Sequence, residues 1–126
     1  MSERKEAADF VKYFNVYPYI QLHVIPDVPG KTIKRPFDVF GSIFRIPIAI
    51  EFKLDQNYRV APHQKEELLN YAAAGANSFV ATIITGQYHS KDILFTNYLE
   101  PEKQFYLKYI DQKYQDIEKF IDFLRD

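Results

Sequence analysis

The chain has 126 residues, with 16 Lys and Arg against 17 Asp and Glu, for a formal net charge of −1. That length suits one domain with a real core and leaves no room for a second of ordinary size, and 47% hydrophobic with 26% charged residues excludes a disordered chain. With no cysteine there are no disulfides and no thiolate zinc site.

No apolar run approaches the roughly 20 residues of a membrane span, and the opening Met1-Ser2-Glu3-Arg4-Lys5-Glu6 lacks the apolar stretch of a signal peptide. A cytoplasmic protein without membrane association is expected. His23, His63 and His89 lie scattered without metalloprotease spacing, and the near-neutral charge gives no global argument for a nucleic-acid partner.

A helix is predicted from Ser2 to about Tyr13. Ser2 suits the N-cap, Glu3 and Glu6 suit the first turn, and Ala7, Phe10, Val11 and Phe14 recur at helical spacing. Residues 15–18 break it, and residues 19–25 alternate as a strand with Ile20, Leu22 and Val24 on one face. His23 falls on the other face as a packing or surface residue. Turn chemistry follows over residues 26–30.

Residues 37–40 and 43–54 read as two further strands, with Pro47 implying a bulge or an edge. Asp38, Glu51 and Lys53 interrupt these apolar runs. If a turn begins at Gly41-Ser42 and the segments pair antiparallel, Asp38 comes beside Glu51 on the face that Lys53 shares, while Ile48, Ile50, Phe52 and Leu54 face a core. Charges in an apolar strand call for a salt bridge or a bound ion, because an unpaired buried charge is costly. Without cysteine or clustered histidine the ion would be hard and oxygen-loving, such as Mg2+. A salt-bridged, solvent-facing sheet surface is the alternative. Lys31, Lys34 and Arg35 precede Asp38 and Arg45 follows it, basic flanks that suit a phosphodiester backbone or, equally, a solvated loop.

Residues 55–61 are expected to form a loop, with Tyr58 and Arg59 as candidate substrate contacts. Pro62 then opens a helix over residues 63–74, closed by Gly75. Residues 79–85 are a β-branched, buried strand, and residues 92–96 another, joined through Gly86-Gln87 and the loop of Tyr88, His89, Ser90 and Lys91. From Glu102 a helical pattern runs to the end, about residues 101–125, with Tyr106, Ile110, Ile117, Phe120, Ile121 and Leu124 in one stripe. That helix is expected to cover the sheet, with self-association as the alternative use of its aromatic surplus. The order is αβββαββα in a single domain over residues 1–126, without repeat or linker.

Asp38, twelve intervening residues and then Glu51-Phe52-Lys53 on a strand resembles the PD-(D/E)XK nuclease signature, with Pro36-Phe37-Asp38 in place of a strict Pro-Asp. Phe37-Asp38-Val39-Phe40-Gly41, His63-Gln64 opening a helix, and Gly75-Ala76-Asn77-Ser78-Phe79-Val80 opening a strand are similar to RecU-type Holliday junction resolvases, over about residues 3–96. The stalk of those proteins has no counterpart here.

The resemblance implies an α/β fold with the restriction-endonuclease-like core αβββαβ, a central mixed sheet flanked by helices, plus the C-terminal helix. It implies a Mg2+-dependent endonuclease, with Mn2+ able to substitute, acting on branched DNA as a homodimer. Asp38, Glu51 and the main-chain carbonyl of Phe52 would hold the metal, Lys53 would orient or activate the attacking water, and Gln64 would support the site. Glu6 is the candidate for the acid that many members place on the first helix, with Glu3 competing. Lys31, Lys34, Arg35 and Arg45 would contact nucleic acid. The alternative is a nuclease-fold module that binds nucleic acid or a protein without cutting.

Overall fold

The computed structural model describes residues 2–26, 36–86, 88 and 90–126. Helix α1 (Glu3–Phe14) begins where the sequence places it: the Lys5 amide donates to the Ser2 hydroxyl at 3.1 Å, and Glu3 and Glu6 occupy the first turn. Just past its end, Asn15 donates from its carboxamide to the Leu22 carbonyl at 2.9 Å and accepts the Leu22 amide at 2.8 Å. Strand β1 (Ile20–Val24) is the edge of the sheet, so this side chain takes the place of a missing neighbour strand.

Strands β2 (Val39–Ile43) and β3 (Ile46–Lys53) form an antiparallel hairpin with Val39 opposite Ile50. Its turn is not at Gly41-Ser42 but at Phe44-Arg45, with φ of 48° and 69°. Both residues hold the left-handed conformation of a two-residue hairpin turn, which side chains other than Gly, Asn and Asp adopt reluctantly. Gly41 instead lies inside β2 at φ +151°, where a Cβ would run into the Gln21 carbonyl and stand 2.9 Å from the Leu22 Cα. The glycine serves the close approach of β1, not a reversal. Pro47 faces Ser42 but lies ahead of the first β4 pairing at Ile48, so its missing N–H interrupts no ladder.

The chain leaves β3, crosses over through α2 (Pro62–Ala73) and returns as β4 (Asn77–Thr85), parallel to β3. Gly75, at φ +103°, ends the helix as expected. The Ser78 hydroxyl donates to the Leu68 carbonyl at 2.7 Å and ties α2 to the strand that follows it. Strand β5 (Lys91–Asn97) continues the sheet antiparallel.

The expected helix from Glu102 is half wrong. Residues 104–110 form strand β6 (Gln104–Ile110), which turns at Asp111-Gln112 into the short β7 (Lys113–Tyr114), and only α3 (Ile117–Arg125) is helical. Phe105, Leu107 and Tyr109 face inward with strand periodicity, and Tyr106 and Ile110, spaced as a helical stripe would be, are 53% and 43% exposed. The result is one seven-stranded sheet in sequential order. Helices α1 and α3 cover one face: Phe120 of α3 packs 4.8 Å from Phe95 and 6.0 Å from Phe14, ring centre to ring centre, in a core that includes Ile50, Phe52 and Phe79. Helix α2 covers the other face more thinly, around Phe37, Ala49 and Leu68. Among the described residues no helix is long and apolar enough to cross a membrane.

Gly41→Ala is expected to destabilise the fold by about 2–4 kcal/mol, because backbone and not a flexible side chain blocks the added methyl. Urea denaturation checks it, with Ser42→Ala as the neighbouring control.

Candidate active site

Strand β3 is buried on both faces and outruns β2. Ile48, Ile50 and Phe52 face α1 and α3, whereas Ala49, Glu51 and Lys53 face the α2 side by strand alternation. The Asp38 amide donates to the Ile50 carbonyl at 3.1 Å although the register partner of Ile50 is Val39. Two residues of one strand thus face one of the other, the geometry of a bulge, which re-aims a side chain. The Asp38 carboxylate bends back and accepts the Phe52 amide at 2.8 Å. Asp38 and Glu51 are 2% and 1% exposed, and Lys53 Nζ stands 3.2 Å from Glu51 Oε2.

Burial pushes the Glu51 carboxyl up from 4.5 to about 8, the neighbouring Asp38 adds to the rise, and Lys53 opposes it. Among the described residues Glu51 Oε1 is buried without a hydrogen-bond donor. Its neighbour Asp38 is a second carboxylate, and two ionised carboxylates can only accept, so the pair needs either a shared proton or a cation. The donor set therefore fits a hard divalent metal. The Phe52 carbonyl points along the same side of β3 as the amide given to Asp38, toward the open end of β2, and can complete the set. Among the described residues no third Asp, Glu or His joins the pair.

Other expected site residues lie elsewhere. Glu6 pairs with Lys91, whose ammonium also sits 4.7 Å from the Tyr109 ring centre. Lys91 shares its strand face with Ile93 and Phe95, so this pair is on the α1 side of the sheet, opposite Glu51. The partly buried lysine on β5 claims the acid that the resemblance offered to the metal. Glu3 is a half-buried residue of the same helical turn. Arg45 sits in the hairpin turn, six residues from Glu51 along β3, or about 20 Å at roughly 3.3 Å per residue, and does not reach the site. Gln64 accepts the Ala61 amide at 3.4 Å and so caps α2. Lys31, Lys34, Arg35 and His89 lie outside the described residues.

A groove beside the carboxylates was not foreseen. In the parallel register Val80 is the partner of Glu51 and Thr82 of Lys53. Val80 floors a cavity of about 540 Å³ walled by Tyr58, Arg59, Val60, Lys65 and Tyr98. The sequence points to Tyr58 and Arg59 as contact residues; Lys65 and Tyr98 carry no such local signal. Alternation along β4 predicts that Ser78, Val80 and Thr82 share a face; that this face adjoins Glu51 follows only from the pairing with β3.

No protein-family model matches the chain, and no curated protein matches it. Among solved structures, Hjc of Archaeoglobus fulgidus, a Holliday junction resolvase from an archaeal hyperthermophile, is similar at 16% identity, over 90% of this chain and 85% of that one, with a TM-score of 0.51. At that identity the likeness is one of fold: a mixed sheet with three helices in the restriction-endonuclease-like arrangement.

Because the folded state holds the Glu51 proton up to about 8 while the unfolded chain releases it near 4.5, metal-free protein is expected to lose stability as pH rises between those values and to level off above them. Glu51→Gln should flatten that slope and raise stability at pH 8 by roughly 1–3 kcal/mol, since a neutral amide can donate to Asp38 and accept from Lys53. Urea titrations across pH in chelator check both; a slope unchanged by the substitution assigns it to another group.

Proposed function

We propose that this protein is a Mg2+-dependent endodeoxyribonuclease of the Holliday junction resolvase type, RecU-like in its site motif, that hydrolyses phosphodiester bonds in branched DNA. The observation that carries the reading is the buried Asp38–Glu51 carboxylate pair with an orphaned Glu51 oxygen and Lys53 on the same strand face. A purely structural charge cluster would leave no acceptor without a donor, because such groups cost stability.

Asp38 and Glu51, with the Phe52 carbonyl, would hold Mg2+, or Mn2+ in its place. Bound there, the ion would supply a water of lowered pKa and offset charge on a phosphate oxygen. Backbone hydrogen bonds hold Asp38 at both ends: its amide donates to Ile50, and its carboxylate accepts from Phe52. That fixation removes the reorganisation that loop-borne ligands would need. Lys53 has its ammonium beside Glu51 and is partly open to solvent, so it can orient the attacking water and place positive charge where the phosphorane gains negative charge. Gln64, at the first turn of α2, would support the site through the helix start. Lys31, Lys34 and Arg35, just ahead of Asp38 in sequence, would contact the phosphate backbone. Two cuts in one branched substrate call for two such sites, hence a homodimer.

A panel of linear, nicked, forked and four-way DNA with Mg2+ or Mn2+ tests the reading. Wild type is expected to cut branched DNA, and Asp38→Asn and Lys53→Ala to lose about 10²-fold or more in kcat. Asparagine keeps an acceptor for the Phe52 amide, so Asp38→Asn should still fold. Independently of activity, Mg2+ should raise the Tm of wild type and not of Asp38→Asn. Unchanged cleavage by Lys53→Ala removes that residue from the mechanism; absence of both cleavage and Mg2+ stabilisation in wild type leaves the non-cutting module. Sedimentation equilibrium reports the dimer.

A further inference from the structure

Helix α2 covers the sheet unevenly. It packs Leu68 over Phe37 and Ala49, while β5 and β6 carry the same sheet face beyond it. The cavity of about 540 Å³ beside Glu51 continues across β4 and β5 into a second of about 320 Å³, with Tyr58, Thr96 and Pro101 shared between them and Gln56 and Gln104 on the far side.

Three properties of this groove converge. Among the described residues, the charged groups that line it are Arg59 and Lys65, both cationic, and no carboxylate lines either part. Neither cation has an ion-pair partner among the described residues. Its walls hold two tyrosines, Tyr58 and Tyr98; the Tyr98 main chain is held by its amide donating to the Ser78 carbonyl at 2.8 Å and by Asn97 Oδ1 accepting the Leu99 and Glu100 amides at 3.0 Å each, and its side chain packs against the Phe37, Ala49 and Leu68 cluster. The floor is continuous with the carboxylate pair, since Val80 and Thr82 are the strand partners of Glu51 and Lys53, about 4.8 Å away across the ladder.

We infer that the groove receives an unpaired nucleotide of the substrate strand next to the scissile phosphate, its base against Tyr58 and Tyr98 and its phosphates on Arg59 and Lys65. The inference rests on the nuclease reading and narrows it to DNA whose branch point exposes an unpaired nucleotide. Base pairs inside a duplex present edges and hide their faces, so aromatic walls are useful only to a base out of its stack. A groove of this volume has the size of a small-ligand pocket, enough for a nucleotide and too small for a duplex. Two cations on the rim, Arg59 and Lys65, match a polyanion, and a tyrosine packed on one side has little side-chain freedom to lose on binding.

The test measures binding in chelator, so that cleavage plays no part, by fluorescence anisotropy with a labelled ten-residue oligothymidylate and with a blunt duplex of the same length. Tyr58→Ala and Arg59→Ala are each expected to weaken oligothymidylate binding about tenfold with a smaller effect on the duplex, and Tyr58→Phe to bind as wild type does. With Mg2+ the ratio of forked to duplex cleavage should fall about tenfold in Tyr58→Ala. Oligothymidylate binding unchanged in both Tyr58→Ala and Arg59→Ala overturns the inference, as does equal weakening for single strand and duplex. Should Tyr58→Ala not fold, Arg59→Ala and Lys65→Ala decide by the same criterion. A wild type that never cuts, yet loses single-strand binding in these variants, keeps the groove and removes the nuclease. A wild type that cuts, with groove variants binding normally, keeps the nuclease and removes the groove.

Discussion

Where β2 stops short of the end of β3, the Phe52 amide is left facing a gap in the sheet, and the carboxylate of Asp38 closes it at 2.8 Å. Much else follows from that bond. It satisfies a buried main-chain donor, which would otherwise be costly. It also holds one carboxylate beside Glu51 without spending a loop or a helix on the task, and it requires the bulge at Asp38, because a regular strand would direct the side chain away from the ladder. The carboxylate pair and the end of β3 are therefore the same piece of structure.

Glu51 shows what such an arrangement costs in stability. A strand buried on both faces selects apolar residues, and Ile48, Ile50 and Phe52 comply on the α1 side. On the other side a carboxylate with one oxygen lacking a donor sits against a second carboxylate, and Lys53 offsets only part of the penalty. Local inconsistency of this kind, in an otherwise consistent core, is the physical mark of a candidate functional site. The large aromatic cluster on the far face, with Phe10, Phe14, Phe52, Phe95 and Phe120 linked through ring contacts, supplies the stability that the site withholds.

The two faces of the sheet thus divide the work. The α1 and α3 face is packed and apolar, and its partly buried ion pair, Glu6 with Lys91, is flanked by α1, Tyr109 and Tyr114. The α2 face is thinly covered, and its open part lies beside the start of the α2 crossover from β3 to β4. A right-placed crossover helix brings the β3 carboxylates and the β4–β5 surface side by side, and the loop entering α2 brings Tyr58 and Arg59 to the rim. That position, beside the carboxyl end of a parallel strand pair, is where α/β sheets commonly bind ligands.

Most elements were legible in the sequence because their signals are local. The Ser2 cap, the alternation of β1 and β3, Pro62 and Gly75 bracketing α2, and the β-branched run of β4 depend on residues within a few positions of one another. The closeness of Asp38 to Glu51 was legible for the same reason, as the two arms of one hairpin. The hairpin turn was misplaced because Gly41 carries the usual turn residue type, whereas its actual constraint is the β1 backbone, and Phe44-Arg45 holds a left-handed turn that residue type does not announce. Tyr106 and Ile110 imitate a helical stripe, and only pairing of β6 with β5 decides that Phe105, Leu107 and Tyr109 face the core. The sequence by itself determined which residues carry charge in apolar strands and how each strand alternates. Which strand lies beside which, which lysine claims Glu6, and which residues line the groove by Glu51 were decided by the tertiary structure alone, because those outcomes depend on contacts between residues tens of positions apart that no local periodicity encodes.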